Sequence, residues 1–204
     1  MVVDATVCPI ERPVLNQRAY YSGKHHIHCQ KWECAVRMSD GLFVWVSDNY
    51  RGPVHDAAVT RKSGILDLLV DEERILGDKG YVGFDQILAP LKGRKLSRIQ
   101  QLFNHAINER RVIVERTFGR LKEFRCLRVP WRSDLNRHNQ AFVVCAHITN
   151  KKLAQMPLSW GFFFFSFFFL SLVFLFAKNR QITGFSLNKK GKKGKRNGKA
   201  KKEK

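Results

Sequence analysis

Acidic residues are scarce in this chain. Its 204 residues include 17 Asp and Glu against 37 Lys and Arg, a net charge of +20. That imbalance argues for a polyanionic partner. Cysteine is also sparse: Cys8, Cys29, Cys34, Cys126 and Cys145 are odd in number and form no Cys-x2-Cys pair. This argues against a disulfide framework and for reduced thiols inside a cell. His25, His26 and His28 lie near Cys29 and Cys34, but their spacing fits no standard zinc finger and a second ligand pair is missing. No charged stretch followed by an apolar run opens the chain, so no secretory signal is read.

What is present is enough for one ordinary domain with tails, since 44% of the residues are apolar. The domain is expected over residues 1–155, followed by a Phe-rich apolar segment (158–177) and a basic, disordered tail (178–204). The tail holds twelve Lys and Arg against one acid, Glu203, for +11, and the remaining 177 residues keep +9. Trp160 to Ala177 is 18 residues without a charge, long enough for a transmembrane helix. A membrane association through 160–177 is therefore one reading. A cytoplasmic basic tail would then place the body on the opposite side of the membrane, away from DNA, which argues against it. Phe runs and Lys runs resemble translated T-rich and A-rich genomic sequence, and residues beyond about 157 are expected to be read-through of non-coding DNA. The Lys-rich end also suits a nuclear localisation patch or a DNA tether.

Strand and helix signals alternate along the body. Val2 and Val3 read as the end of a buried strand, with Asp4 directly after it, so the chain is expected to be an N-terminally shortened core. Pro9 and Pro13 force a loop. Residues 20–46 read as strands, with a hairpin turn at Ser39-Asp40-Gly41, giving a three-stranded antiparallel meander. A short helix over 57–70 is interrupted near Gly64, and Ile75-Leu76 is a brief strand ending at Asp78. A helical stretch follows from about Leu96 into the segment 104–127, whose first twenty residues hold no helix breaker. There Ile107, Val114, Phe118 and Leu121 share one face, and Arg111, Glu115 and Lys122 form a stripe beside it. A last helix over 134–154 is expected to turn Phe142, Val143, Ala146 and Ile148 inward. The order is β-β-β-α-β-α-α.

Three acids stand apart from the rest. Asp4 lies at a first strand and Asp78 follows a later one, where α/β sheets place their ligands. Glu115 sits on a helix at the edge of its apolar face. Hard divalent cations prefer oxygen donors, so such a trio suits Mg2+ or Mn2+. Two such ions would activate a water and stabilise the leaving oxygen of a phosphodiester. Asp56, in the string Gly52-x2-His55-Asp56, is the rival for the second ligand position. Asp78 is preferred because it directly follows a strand and lies closer in sequence to Glu115; the other role for Asp56 is to cap the helix that starts at Ala57.

Five ordered strings carry a resemblance: DAT-x2-PI-x-RP (4–13), YYSGKHH-x-H (20–28), G-x2-HD (52–56), ILGDKGY-x-G (75–83) and RVIVERTFGRLK (111–122). Together they resemble the DDE superfamily endonucleases, nearest to Harbinger transposase-derived nucleases and their bacterial insertion-sequence relatives. The resemblance implies an α/β, RNase H-like mixed sheet, an antiparallel meander plus a parallel strand flanked by helices. It also implies a divalent metal cofactor and cleavage of DNA. By position, Asp4, Asp78 and Glu115 match the metal-binding triad, and Arg111 and Lys122 match basic residues that hold DNA phosphates. Lys79 and Lys24 are expected to join them. Asn108 stands where relatives often place Tyr. Relatives usually carry a separate DNA-recognition region, so a recognition partner protein and a nuclear location are expected. A DNA-binding relic that keeps the fold without cutting is the other reading of the same residues.

Overall fold

A computed structural model describes residues 1–158. Its first strand, β1 (Val2–Pro9), carries three Val and a Thr, the β-branched residues that fit a pleated surface packed on both sides. It pairs antiparallel with β3 (Ile27–Val36) over its full length and parallel with β6 (Ile75–Leu76) on its other edge. β7 (Ile87–Leu88), which the sequence did not announce, adds a further parallel strand beyond β6. The far edge of β3 is lined in turn by β2 (Tyr21–Ser22), β5 (Tyr50–Arg51) and β4 (Phe43–Val46), all antiparallel. The result is one seven-stranded mixed sheet in the order β2-β3-β1-β6-β7, with β4 and β5 on β3.

Two clusters of apolar side chains cover the sheet. Val2, Cys34, Val36 and Leu76 pack with α3 (Arg98–Leu121), α4 (Arg125–Arg128) and α5 (Leu135–Gln155). Val3, Ala35 and Ile75 pack with Ile65, Tyr81 and Ile87, beyond α2 (Asp56–Ser63). Neighbouring residues of one strand point to opposite faces, so Asp4 shares the α3 side with Val2, and Glu33 shares the α2 side with Ala35. A four-residue helix, α1 (Gln17–Tyr20), precedes β2.

The β3–β4 turn falls at the expected Ser39-Asp40-Gly41 and docks on α3. Gly41 has φ 77°, and a Cβ there would lie 2.7 Å from Thr117 Oγ1 and 2.8 Å from Leu158 Cδ1. Only a glycine permits both the left-handed backbone and that approach. The buried stripe of α3 is the expected one, since Ile107, Val114, Phe118 and Leu121 are all buried.

Three expectations change. The strand expected to end at Val3 continues to Pro9, because β3 offers eight successive partners and a proline is tolerated at a strand end. The helical stretch leading toward Leu127 starts at a Ser97–Gln100 capping box and stops at Leu121. Leu121 and Leu127 are both fully buried, yet six residues of continuous helix would put them about 120° apart around the axis; the chain bends and restarts as α4. On α5, Val143 and Ile148 are 36% and 40% exposed, while His138, Phe142, Cys145, Thr149 and Leu153 face inward. The inner face includes two polar residues because each finds a partner: His138 Nδ1 meets Gln30 Oε1 at 2.8 Å, and Thr149 donates to the Cys145 carbonyl.

Among the described residues no helix is long and apolar enough to cross a membrane. Leu158 is buried. The remainder of the apolar segment and the basic tail, and the readings attached to them, lie outside the described residues.

Phe142 stacks on Trp32 at 4.3 Å with rings nearly parallel. Phe142→Ala is expected to cost about 3–5 kcal/mol, and Ile148→Ala less than about 1 kcal/mol, in urea denaturation. Equal costs would contradict the orientation of α5.

Candidate active site

Asp4 lies in the middle of the sheet, on a strand hydrogen-bonded at both edges, and its side chain is 20% exposed. One carboxylate oxygen accepts the Ala5 N–H at 2.8 Å, and the other accepts from Arg111 Nη2 at 3.2 Å. Burial raises its carboxyl to about 6; the Ala5 N–H and Arg111 oppose the rise, and the charges of Asp78 and Asp56 add to it. Three aspartates from three elements therefore share one electrostatic neighbourhood.

Asp78 follows β6 and caps the short 3-10 turn Lys79–Tyr81, its Oδ1 accepting the Gly80 N–H at 2.6 Å. Asp56 opens α2 and pairs with Lys31 of β3 at 2.8 Å. A Cβ on Gly80 would lie 2.8 Å from Asp78 Oδ1 and 3.7 Å from Asp56 Oδ2, so both carboxylates close on the same bare glycine. Asp56 thus stands beside Asp78 instead of serving as the expected side-chain cap: the residue before α2 is His55, and no side-chain hydrogen bond caps that helix.

Glu115 is exposed on α3, one turn beyond Arg111. The stripe it belongs to lies along β1. Arg111 holds Asp4, and Lys122 donates to the Val7 carbonyl at 2.7 Å, so the two cations bracket Glu115 and fasten its helix to the strand. Lys122 is thereby turned to the backbone of β1. Lys24 and Lys79 are exposed. Arg111 Nε is buried without a hydrogen-bond partner, an uncommon state for a guanidinium donor. The structure brings Asp4, Asp56, Asp78 and Arg111 together, and Glu115 lies one turn along α3 from Arg111. Among the described residues no three His, Cys, Asp or Glu side chains are close enough to hold a metal ion.

Sequence reasoning missed Glu33. It is fully buried on β3; its Oε1 accepts from Thr60 of α2 at 2.6 Å, and its Oε2 has no partner. Burial raises its carboxyl above the usual range, against the pull of the Thr60, Ser63 and Tyr81 hydroxyls. Tyr81 lies near enough to act on that charge, although its hydroxyl makes no hydrogen bond of ordinary geometry. Glu33 thus sits under both α2, which carries Asp56, and the turn that follows Asp78. An acid inside an otherwise apolar β3 run, Trp32-Glu33-Cys34-Ala35-Val36, was the available signal.

A profile of the DDE superfamily endonucleases matches residues 3–150. The chain belongs to this family. Over 163 residues it is 30% identical to the probable transposase for insertion sequence element IS702 of Microchaete diplosiphon, an alignment covering 76% of this chain and 57% of that protein. The chain therefore spans little more than half the length of that curated relative. No solved structure matches it. The divalent cation implied for a DDE endonuclease suits the donors seen here. They are hard carboxylate oxygens, and Asp4 is destabilised as an anion by burial and by two like charges that a cation would neutralise.

The folded state holds the Asp4 proton more tightly than the unfolded chain does, since its carboxyl is raised from 3.8 to about 6. Stability without metal therefore falls as pH climbs through that window and levels off above it, a loss on the order of 3 kcal/mol. Asp4→Asn is expected to flatten this fall in urea denaturation between pH 4 and 7. The same decline in both proteins would contradict the placement of Asp4.

Proposed function

We propose that this chain is the catalytic core of a Harbinger-type, metal-dependent DNA endonuclease with an RNase H-like fold. The observation that supports it most is the gathering of Asp4, Asp56 and Asp78, from three separate elements, with the partly buried charge of Asp4 only partly offset by Arg111, in a chain of the DDE endonuclease family. Asp4, Asp78 and Glu115 would hold Mg2+ or Mn2+, with Asp56 beside them as a further oxygen donor. Bound there, a pair of such ions supplies an activated water and charge neutralisation at the phosphodiester.

The chain's own residues do the positioning. Arg111 orients Asp4 through Nη2. Lys122 holds α3, and with it Glu115, against β1. Lys31 fixes Asp56, and the Gly80 N–H fixes Asp78. Exposed Lys24 and Lys79, on a body of net charge +9, contact the DNA backbone.

A second reading has an observation of its own. Arg111 already pairs with Asp4, and no three ligands are gathered at bonding distance among the described residues. A protein fixed in that arrangement would bind DNA without cutting it. Supercoiled-plasmid nicking separates the two. The endonuclease reading expects nicking that requires Mg2+ or Mn2+ and drops by roughly 100-fold or more in Asp78→Asn and in Glu115→Gln, with both variants folded by circular dichroism. Plasmid binding without any metal-dependent nicking would establish the relic instead.

A further inference from the structure

Between Glu11 and Glu33 the chain has no acidic residue, yet it carries Arg12, Arg18, Lys24, Lys31 and three histidines. Of these cations Lys31 is committed to Asp56. The others lie on the loop after β1, on α1 and on the turn joining β2 to β3. Where the loop after β1 and α1 meet β2 and β3, a groove of about 380 Å³ opens, lined by Arg12, Gln17, Arg18, Tyr21 and His28.

The groove is partly pre-organised. Arg12 donates from Nε and Nη2 to Gln17 Oε1, at 2.9 and 2.7 Å, which fixes the guanidinium plane and leaves further N–H donors on it. Tyr21 and His28 are paired across the β2–β3 ladder and meet edge to face at 5.3 Å, while Tyr21 remains 41% exposed. A fixed guanidinium, a second arginine and an exposed aromatic ring in a space of this size match one nucleotide, phosphate on the arginines and base on the ring. The same hairpin extends toward Asp56: His25, in the turn between β2 and β3, lies within electrostatic range of Lys31, Lys122 and Asp56. A nucleotide in the groove would thus belong to a strand that passes the carboxylates.

We propose that the groove of Arg12, Arg18 and Tyr21 is a binding subsite for one unpaired nucleotide of the DNA substrate, stacked on Tyr21 with its phosphate held by the two arginines. This rests on the endonuclease reading for its substrate, not for its geometry. An internal paired base is already stacked on both faces and cannot lie on Tyr21 without leaving the helix. The subsite therefore favours frayed ends, overhangs and distorted duplex over intact double helix.

The test uses the full chain without divalent metal and two hairpin duplexes, one blunt and one with a single 3′ 2-aminopurine overhang. The proposal expects the overhang duplex to bind about tenfold more tightly than the blunt one by fluorescence anisotropy, and 2-aminopurine emission to be quenched on binding. Tyr21→Leu should abolish the quench and the preference while leaving blunt-duplex affinity within about twofold; Tyr21→Phe should restore both. Arg12→Ala and Arg18→Ala should each weaken overhang binding by about tenfold. Equal binding of the two duplexes by the wild-type chain, or an unchanged quench in Tyr21→Leu, overturns the subsite. Metal-dependent nicking that persists with no overhang preference removes the subsite alone, and overhang stacking without nicking removes the endonuclease reading alone. Failure to bind either duplex overturns both.

Discussion

A partly buried carboxylate flanked by two others is the constraint from which the rest of this molecule follows. Ion burial is unfavourable unless partners compensate it, and Asp4 has only an N–H and one arginine. The compensation is incomplete, as the rise of its carboxyl to about 6 shows. Asp56 and Asp78 are each fixed by a single donor and aimed at the same glycine. A fold that needed only stability would replace such a group with apolar side chains. Retaining it is consistent with a site whose stability is completed by something positively charged.

The surroundings hold that arrangement stiffly. β1 is paired with β3 along its whole length, Asp4 opposite Cys34, which holds the backbone of Asp4 in register. α3 is fastened to it on either side of Glu115 by Arg111 and Lys122. Beneath the opposite face, Glu33 links β3 to α2 through Thr60 and lies within reach of Tyr81. Each carboxylate thus rests on an element with its own anchor, which is how a rigid scaffold keeps like charges near one another.

Much of the architecture was legible because hydrophobic periodicity reports burial directly. The α3 stripe, the β3–β4 turn and the strand Ile75-Leu76 all fall where pattern and turn chemistry put them. Where pattern misleads, polar residues have found partners. His138 and Thr149 occupy inner positions of α5 through hydrogen bonds that no single-sequence rule anticipates, and Val143 and Ile148 are displaced outward. The break between α3 and α4 is similarly tertiary, since it arises from burying Leu121 and Leu127 together. β7 is only two residues long and has too little sequence to carry a signal. The candidate site was legible residue by residue through its motifs, but its internal relations were not. That Lys31 pairs with Asp56, that Arg111 pairs with Asp4, and that Glu33 lies below them are distances across the fold.

The proposed cation site joins these acids. Iron(II)-directed cleavage, with ascorbate and hydrogen peroxide on the full chain, reads it directly, because an ion bound in place of Mg2+ cuts the backbone nearest its ligands. Cuts are expected grouped around Asp4, Asp56, Asp78 and Glu115 and suppressed by excess Mg2+. Cuts scattered along the chain, or grouped elsewhere and indifferent to Mg2+, would contradict it.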